Sequence, residues 1–368
     1  MRQRDQFCLE DHDDRPGPFD PDPETVPDPW FLPGLDGMGR ADGAGNLSEE
    51  GAASCRNIFD PAAWRAAQAE LSAPLANLAA LFGALDERLR AGPAGWRQRL
   101  ALLEVVDLGW WTGDRIAMDR LALWLGLRVG AVGEDAPALL RAGWAARRLM
   151  EGPAPDQNGW QAGLAVFLGR AGQGAGSEAL SDLADLMSDT ALLHPVTQAA
   201  IVFHGWRMLG QQKEKAGRGF PGQDVTVDVE AAVLAARHGA RTGRGAALFV
   251  PLALTGPGAL RASGSVAKRL AAWIAGAAQA TQAALLHLDR LRDWEIRARS
   301  ATEGLSGRTP PALIAALAAW PMVSAVLAEE LTGASRAAVL RNLDVLVGRG
   351  LIREITGQGR FRVWAAKV

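Results

Sequence analysis

Tyrosine is missing from this chain altogether, and cysteine occurs only twice in 368 residues. Cys8 and Cys55 have no Cys-x-x-Cys pairing and no histidine at ligand spacing, so neither a disulfide framework nor a zinc site is expected. The histidines, at 12, 194, 204, 238 and 287, are scattered, and no Gly-x-Ser-x-Gly elbow occurs, so no Ser-His-Asp set is legible. Long apolar runs are lacking too: none approaches the roughly 20 residues of a membrane helix, and the N-terminus has no apolar signal core. No membrane partner, no metal and no cofactor is expected, and the expected location is the cytoplasm.

What is present is alanine, leucine and arginine, with 48% hydrophobic and 6% aromatic residues and a net charge of -2. That composition suffices for a substantial core, and apolar spacing of three to four with few β-branched runs predicts a mainly α protein. The thirteen tryptophans have no evident physical reason in the sequence. The first fifty residues carry 13 acidic against 4 basic groups amid repeated Pro and Gly. Residues 1–55 are therefore expected to be a disordered acidic tail, in which Trp30, Phe31 and Leu32 form one apolar knot.

From Phe59 a helical body is expected, in two parts: an N-terminal helical domain over 56–152 and a helical core over 153–300, divided at the Gly-Pro-Ala-Pro linker after Glu151. Asp60 and Pro61 start the first helix as N-cap and first-turn pair. Leu75, Leu78, Leu81, Phe82, Leu85 and Leu89 give the next one an apolar face, with Asp86, Glu87, Arg88 and Arg90 outside. Further helices are predicted over 96–110, 115–127 and 134–150, then over 160–168, 181–187 and from Pro195. A loop over 211–224 follows, then a helix over 229–238, a continuation over 246–254, and one long helix or two over 266–299. Gly172, Gly174 and Gly176 invite a phosphate-loop reading. Such a loop needs a preceding strand and a Lys followed by Ser or Thr, and neither is there. Carboxylate pairs such as Asp182 with Asp185, or Asp289 with Asp293, sit at helical spacing beside arginines and read as solvated faces.

Residues 308–368 are more specific. Pro310 and Pro311 open a helix with Leu313, Ile314 and Leu317 inside, stopped by Pro321. Ser324 caps a second helix carrying Val326, Leu327 and Leu331 inward and Glu329 and Glu330 outward, and Gly333 turns the chain. Ser335 caps a third, whose inner stripe is Val339, Leu343, Leu346 and Val347 and which Gly348 and Gly350 end. Two β-rich runs, 351–355 and 361–364, are joined by a glycine-bearing tip. The pattern predicts a winged helix-turn-helix, which presents its third helix to the major groove. On this reading Ser335, Arg336, Ala337, Leu340 and Arg341 face base edges, while Gln358, Gly359, Arg360 and Arg362 on the wing reach phosphates or the minor groove. The segment holds eight basic against four acidic residues, a local +4. Double-stranded DNA is the expected partner, and because such readers often pair on twofold operators, a homodimer is expected with it. The competing use of such a module is protein contact.

Several stretches carry a resemblance: LDERLRAGPAGWRQR (85–99), GDRIAMDRLALWLGLRVG (113–130), LRAGWAARRLM (140–150), LLHPVTQAA (192–200) and LIREITGQGRFRVWA (351–365). On these the chain resembles a Fic-related alphaproteobacterial family that joins a domain of unknown function to a helix-turn-helix. The resemblance implies a Fic-like helical bundle ahead of the C-terminal module. Fic enzymes transfer a nucleotide monophosphate to a hydroxyl, using a histidine as base and a Gly-Asn-Gly backbone to cradle phosphates. The corresponding stretch here is RHGARTGRGAALF (237–249), which keeps His238 and the Gly243, Arg244, Gly245 run. It lacks the proline, the aromatic residue, the asparagine and the acidic magnesium ligand. The resemblance therefore implies a transferase scaffold without transfer, the alternative being residual nucleotidyl transfer (AMPylation) onto a protein.

Overall fold

The computed structural model describes residues 58–126, 134–170, 178–215, 225–357 and 361–368. The acidic tail with its apolar knot, both cysteines, the glycines at 172, 174 and 176, and Gln358, Gly359 and Arg360 lie outside these residues.

The described chain is mainly helical. Asp60 starts α1 (Pro61–Glu70), its carboxylate accepting from the Ala62 N–H at 2.9 Å. After one break at Leu71, α2 (Ser72–Ala91) buries Leu75, Leu78, Phe82, Leu85 and Leu89 of the predicted stripe, and its sixth member, Leu81, is half-buried. α3 (Gly95–Thr112) ends at Gly113, whose φ of +90° permits the turn into a loop and then α4 (Met118–Leu125). The expected start of α4 at residue 115 is too early, because the chain stays extended until Ala117. There follow α5 (Ala136–Met150), α6 (Trp160–Phe167), α7 (Glu178–Asp189), α8 (Pro195–Lys215) and α9 (Val227–Gly239). Helix α8 thus runs five residues, 211–215, into the loop predicted from Gln211.

Two corrections concern the body. Asp86, expected in solvent, is 1% exposed. And 246–254, expected to continue as helix, is irregular backbone. The two have one cause. Asp86 accepts the N–H groups of Arg244 and Ala247 at 2.9 and 2.6 Å. Glu104 accepts those of Leu252, Ala253 and Leu254 at 2.7, 2.9 and 3.2 Å, and Asp107 that of Thr255 at 2.9 Å. A buried N–H must find an acceptor, and here carboxylates of α2 and α3 take the place of the carbonyl four residues back. Burial pushes Asp86 up, but the N–H groups of Ala247, Arg244 and Ala246 with Arg90 outweigh it and hold the carboxyl below its ordinary value.

Helix α10 (Val266–Ser300) is one element of 35 residues, about 52 Å long at 1.5 Å per residue. Its first part belongs to the apolar core that gathers buried residues from Ile58 to Leu288. Its last part, through Leu291, Trp294 and Ala298, belongs to a second core shared with the C-terminal elements. These are α11 (Thr309–Ala319), β1 (Val323–Ser324), α12 (Ala325–Thr332), α13 (Arg336–Gly348), β2 (Ile352–Glu354) and β3 (Val363–Ala366). The strands form an antiparallel sheet in the order β1-β3-β2, with Val323 opposite Trp364 and Arg353 opposite Ala365. No described helix is long and apolar enough to cross a membrane.

Candidate nucleic-acid interface

The C-terminal module is built by local capping. Ser324 Oγ accepts from the Leu327 N–H at 3.2 Å and starts α12, and Gly333, at φ +64°, ends it. Ser335 Oγ then accepts from the Ala338 N–H at 3.4 Å and starts α13. The turn between the helices is thus only three residues long, Gly333, Ala334 and the cap Ser335. Inside the module Leu313, Ile314, Leu317, Val339, Leu343 and Leu346 are buried as expected, with Val347 half-buried against them.

One face was misread from the sequence. Val326 and Leu331 are 50% and 46% exposed, and Ala325 and Ala328 take the inner positions of α12. The small residues face inward because α12 packs closely against both α11 and α13.

The outer face of α13 turns away from the core. Ser335, Arg336, Ala337 and Arg341 are exposed, and Leu340 is half-buried against the module's apolar cluster. Arg336 Nη1 lies 3.2 Å from Glu329 Oε1 of α12, with 57% of the arginine side chain open to solvent. Arg341 has no hydrogen-bond or ion-pair partner among the described residues. Arg362, just before β3, lies over the Trp364 ring at 4.9 Å and reaches Asp344 at 3.3 Å, tying the second hairpin strand to α13. Exposed ion pairs of this kind are worth about 0–1 kcal/mol, so Arg336 and Arg362 are available to exchange their carboxylates for phosphates. On the hairpin's first arm, Glu354 accepts the N–H groups of Thr356 and Gly357, both at 2.9 Å, which fixes the turn toward the tip.

The module is anchored to the body at several points that the sequence did not reveal. Arg99 of α3, 3% exposed, donates to the carbonyls of Leu317 and Trp320 at 3.1 and 2.5 Å, capping the C-terminal end of α11. Beside it Trp96 Nε1 donates to the Ala318 carbonyl at 3.1 Å. Gly95 is needed there, since a Cβ would stand 2.4 Å from the Ala319 carbonyl oxygen. Trp294 Nε1 donates to the Leu351 carbonyl at 2.9 Å, and Arg353 of β2 pairs with Asp119 of α4 at 2.5 Å. Of the basic residues counted in the module, Arg353 therefore serves the body contact.

His238, the histidine singled out by the resemblance, lies in the last turn of α9 and is fully buried. Its ring stands 4.8 Å from that of Trp160. Gln198 donates its amide N–H groups to the carbonyls of Thr190 and Ala191, both at 3.0 Å, which leaves its Oε1 as an acceptor. His238 Nε2, 2.7 Å from that oxygen, must be the protonated nitrogen. The other nitrogen, Nδ1, is buried with no partner among the described residues. Burial, with help from the nearby Arg241 charge, lowers the imidazole to about 3. His204 is held in the same way, about 3, by burial and by Arg269 and Arg207. It packs with Phe203, Trp64 and Trp273, where four of the chain's aromatic or imidazole rings meet. Asp182, Asp185, Asp289 and Asp293 are exposed on helix surfaces.

No protein-family model matches this chain, and no curated protein is similar to it. The site is therefore defined by its geometry alone: a capped helix with two exposed arginines, a hairpin beside it, and a body that grips both.

Proposed function

We propose that this protein is a DNA-binding transcriptional regulator of the cytoplasm whose C-terminal module is a winged helix-turn-helix. The observation that carries the reading is the outer face of α13, where Ser335, Arg336, Ala337 and Arg341 are open to solvent next to a tight turn. The order α11-β1-α12-α13-β2-β3, with β1 joining the hairpin, supports it further. In this reading α13 enters the major groove with its N-terminal residues toward base edges, and Arg362 approaches the flanking phosphates together with the tip residues Gln358, Gly359 and Arg360. Two copies on a twofold operator would double the contact.

The body, read as a Fic-like bundle on sequence motifs alone, acts in this proposal as a scaffold without nucleotidyl transfer. Two observations support that reading. A transferase base needs an accessible lone pair, whereas His238 Nδ1 is enclosed. Phosphates are drawn to helix N-termini, whereas His238 sits at a C-terminal end.

The test is fluorescence anisotropy with fragments of the gene's own chromosomal neighbourhood. Arg336→Ala with Arg341→Ala should weaken binding to the preferred fragment, and one bidentate arginine–guanine contact is worth about 1–3 kcal/mol. Unchanged affinity for that fragment would remove α13 from the interface.

A further inference from the structure

Phe361 stands just before β3, on the arm of the hairpin that returns from the tip. It lies two residues beyond a backbone bond that joins the arms, from the Ile355 N–H to the Val363 carbonyl at 2.9 Å. At 71% exposure it is the most open aromatic side chain among the described residues. Its φ of +58° falls in the left-handed region, which costs a residue with a Cβ free energy that glycine does not spend. Asn158 and Thr255 share a positive φ, but asparagine tolerates it and the Thr255 N–H is held by Asp107. Phe361 makes no hydrogen bond and no ring contact among the described residues. An unfavourable backbone and a solvated ring, with no return inside the chain, point to a contact outside it.

The neighbours indicate the kind of contact. Arg362, the next residue, lies over the Trp364 ring and meets Asp344, which is one turn along α13 from the exposed Arg341. On the opposite arm Glu354 accepts the N–H groups of Thr356 and Gly357, so its charge is turned to the hairpin backbone. An aromatic ring beside cations matches a duplex groove, which is walled by phosphates and floored by stacked bases.

We propose that Phe361 is a DNA wedge: its ring enters the minor groove and inserts between two base pairs, while Arg362 contacts the adjacent phosphate. This rests on the DNA-binding reading and adds to it a residue that carries no charge. Apolar side chains inserted in this way partly unstack one base step and kink the duplex. Pyrimidine–purine steps open most easily, so the wedge gives the protein a sequence preference at a position that α13 does not touch.

The experiment uses the full-length protein and short duplexes cut from the fragment preferred in the anisotropy assay, with 2-aminopurine replacing one adenine at a time. This base brightens when it is unstacked. The natural chain should brighten it at one step outside the α13 contact. Phe361→Gly should abolish that signal and weaken binding about five- to a hundredfold, the range for losing one base–aromatic stack. The factor should be the same at every salt concentration, because no phosphate contact is removed. The melting temperature of the free variant should stay within a few degrees, since relief of the left-handed backbone offsets the freedom of glycine in the unfolded chain. Phe361→Leu, still an apolar wedge, should keep the brightening.

Unchanged brightening and affinity in Phe361→Gly would overturn the wedge, as would a large fall in its melting temperature, which would show the ring to be packed on the protein. A Phe361→Gly variant that loses self-association in mass photometry while still unstacking the base would assign the ring to a protein contact instead. Binding lost in the Arg336 and Arg341 double variant but untouched by Phe361→Gly overturns the wedge alone. A natural chain that binds no fragment overturns the functional reading and the wedge with it.

Discussion

His238 separates a core histidine from a catalytic one by its response to pH. Its folded value of about 3 lies far below the 6.5 of an unfolded chain. A base with a depressed value contributes stability that is present above the unfolded value and lost as pH falls toward the folded one. Between pH 7.5 and 5 that loss is about 2 kcal/mol for this one ring, with a limiting slope of about 1.4 kcal/mol per pH unit. His204, also about 3, adds a similar loss. Glu104 acts in the opposite sense, because burial pushes it up to about 7 against its three N–H donors, so protonation below that value relieves the folded state. The total pH dependence is thus a sum of opposed parts, and the informative quantity is a difference. His238→Gln keeps a donor for Gln198 but cannot titrate. Urea denaturation followed by tryptophan fluorescence should show the variant losing about 2 kcal/mol less than the natural chain between pH 7.5 and 5. Parallel losses in the two proteins, or a His238 ring proton that titrates near 6.5 by NMR, would show that water reaches the ring and would sink both the burial argument and the non-catalytic assignment.

Other perturbations follow from the same geometry. Glu329→Gln removes the carboxylate that engages Arg336 and should tighten DNA binding by a factor of about two to five, as the loss of a weak exposed pair allows, read by anisotropy at fixed salt. Arg99→Met leaves the Leu317 and Trp320 carbonyls without their donor in a buried contact and should cost about 2–4 kcal/mol, seen as a lower urea midpoint. Gly276→Ala would place a Cβ 2.2 Å from the Ala259 nitrogen and about 2.8 Å from its Cα, both backbone atoms; the expected cost is about 1–3 kcal/mol in the same assay.

The C-terminal module was legible because its information is local. Ser324 and Ser335 each cap an N–H three residues on, and Gly333 acts at its own position. The body's irregular segment was not legible, because its acceptors are distant: Asp86 meets Ala247 across 161 positions, and Glu104 meets Leu252 across 148. An acidic residue on a helix reads as solvent-facing unless its partner is known, and nothing within either helix announces these partners. Strand β1 was missed for a related reason. Two residues, Val323 and Ser324, become a strand only by pairing with Trp364 and Val363, 41 and 39 positions later. The face of α12 failed differently. Size favoured Val326 and Leu331 as the inner residues, whereas close helix packing selected Ala325 and Ala328. Of the residues assigned to DNA, the α13 set sits together on one exposed face, and Arg362 is joined to it through Asp344.

The attachment of the module limits how the protein can act. A reader joined by a flexible linker samples many orientations, and its body affects DNA affinity only by adding local concentration. Here α10 passes without interruption from one core into the other, with Leu288 in the first and Leu291 in the second. A hinge between them would have to break a continuous helix. The Arg99 and Trp96 caps and the Asp119–Arg353 pair add contacts on two further sides of the module. The orientation of α13 is therefore set by the body, and the spacing of half-sites that a pair of copies could read would be set by whichever body surface joins them. If the DNA-binding proposal holds, the body acts on the module through the packed contacts of α3 and α4, and substitutions at Arg99 or Asp119, far from any base, should change DNA affinity without changing which sequence is preferred.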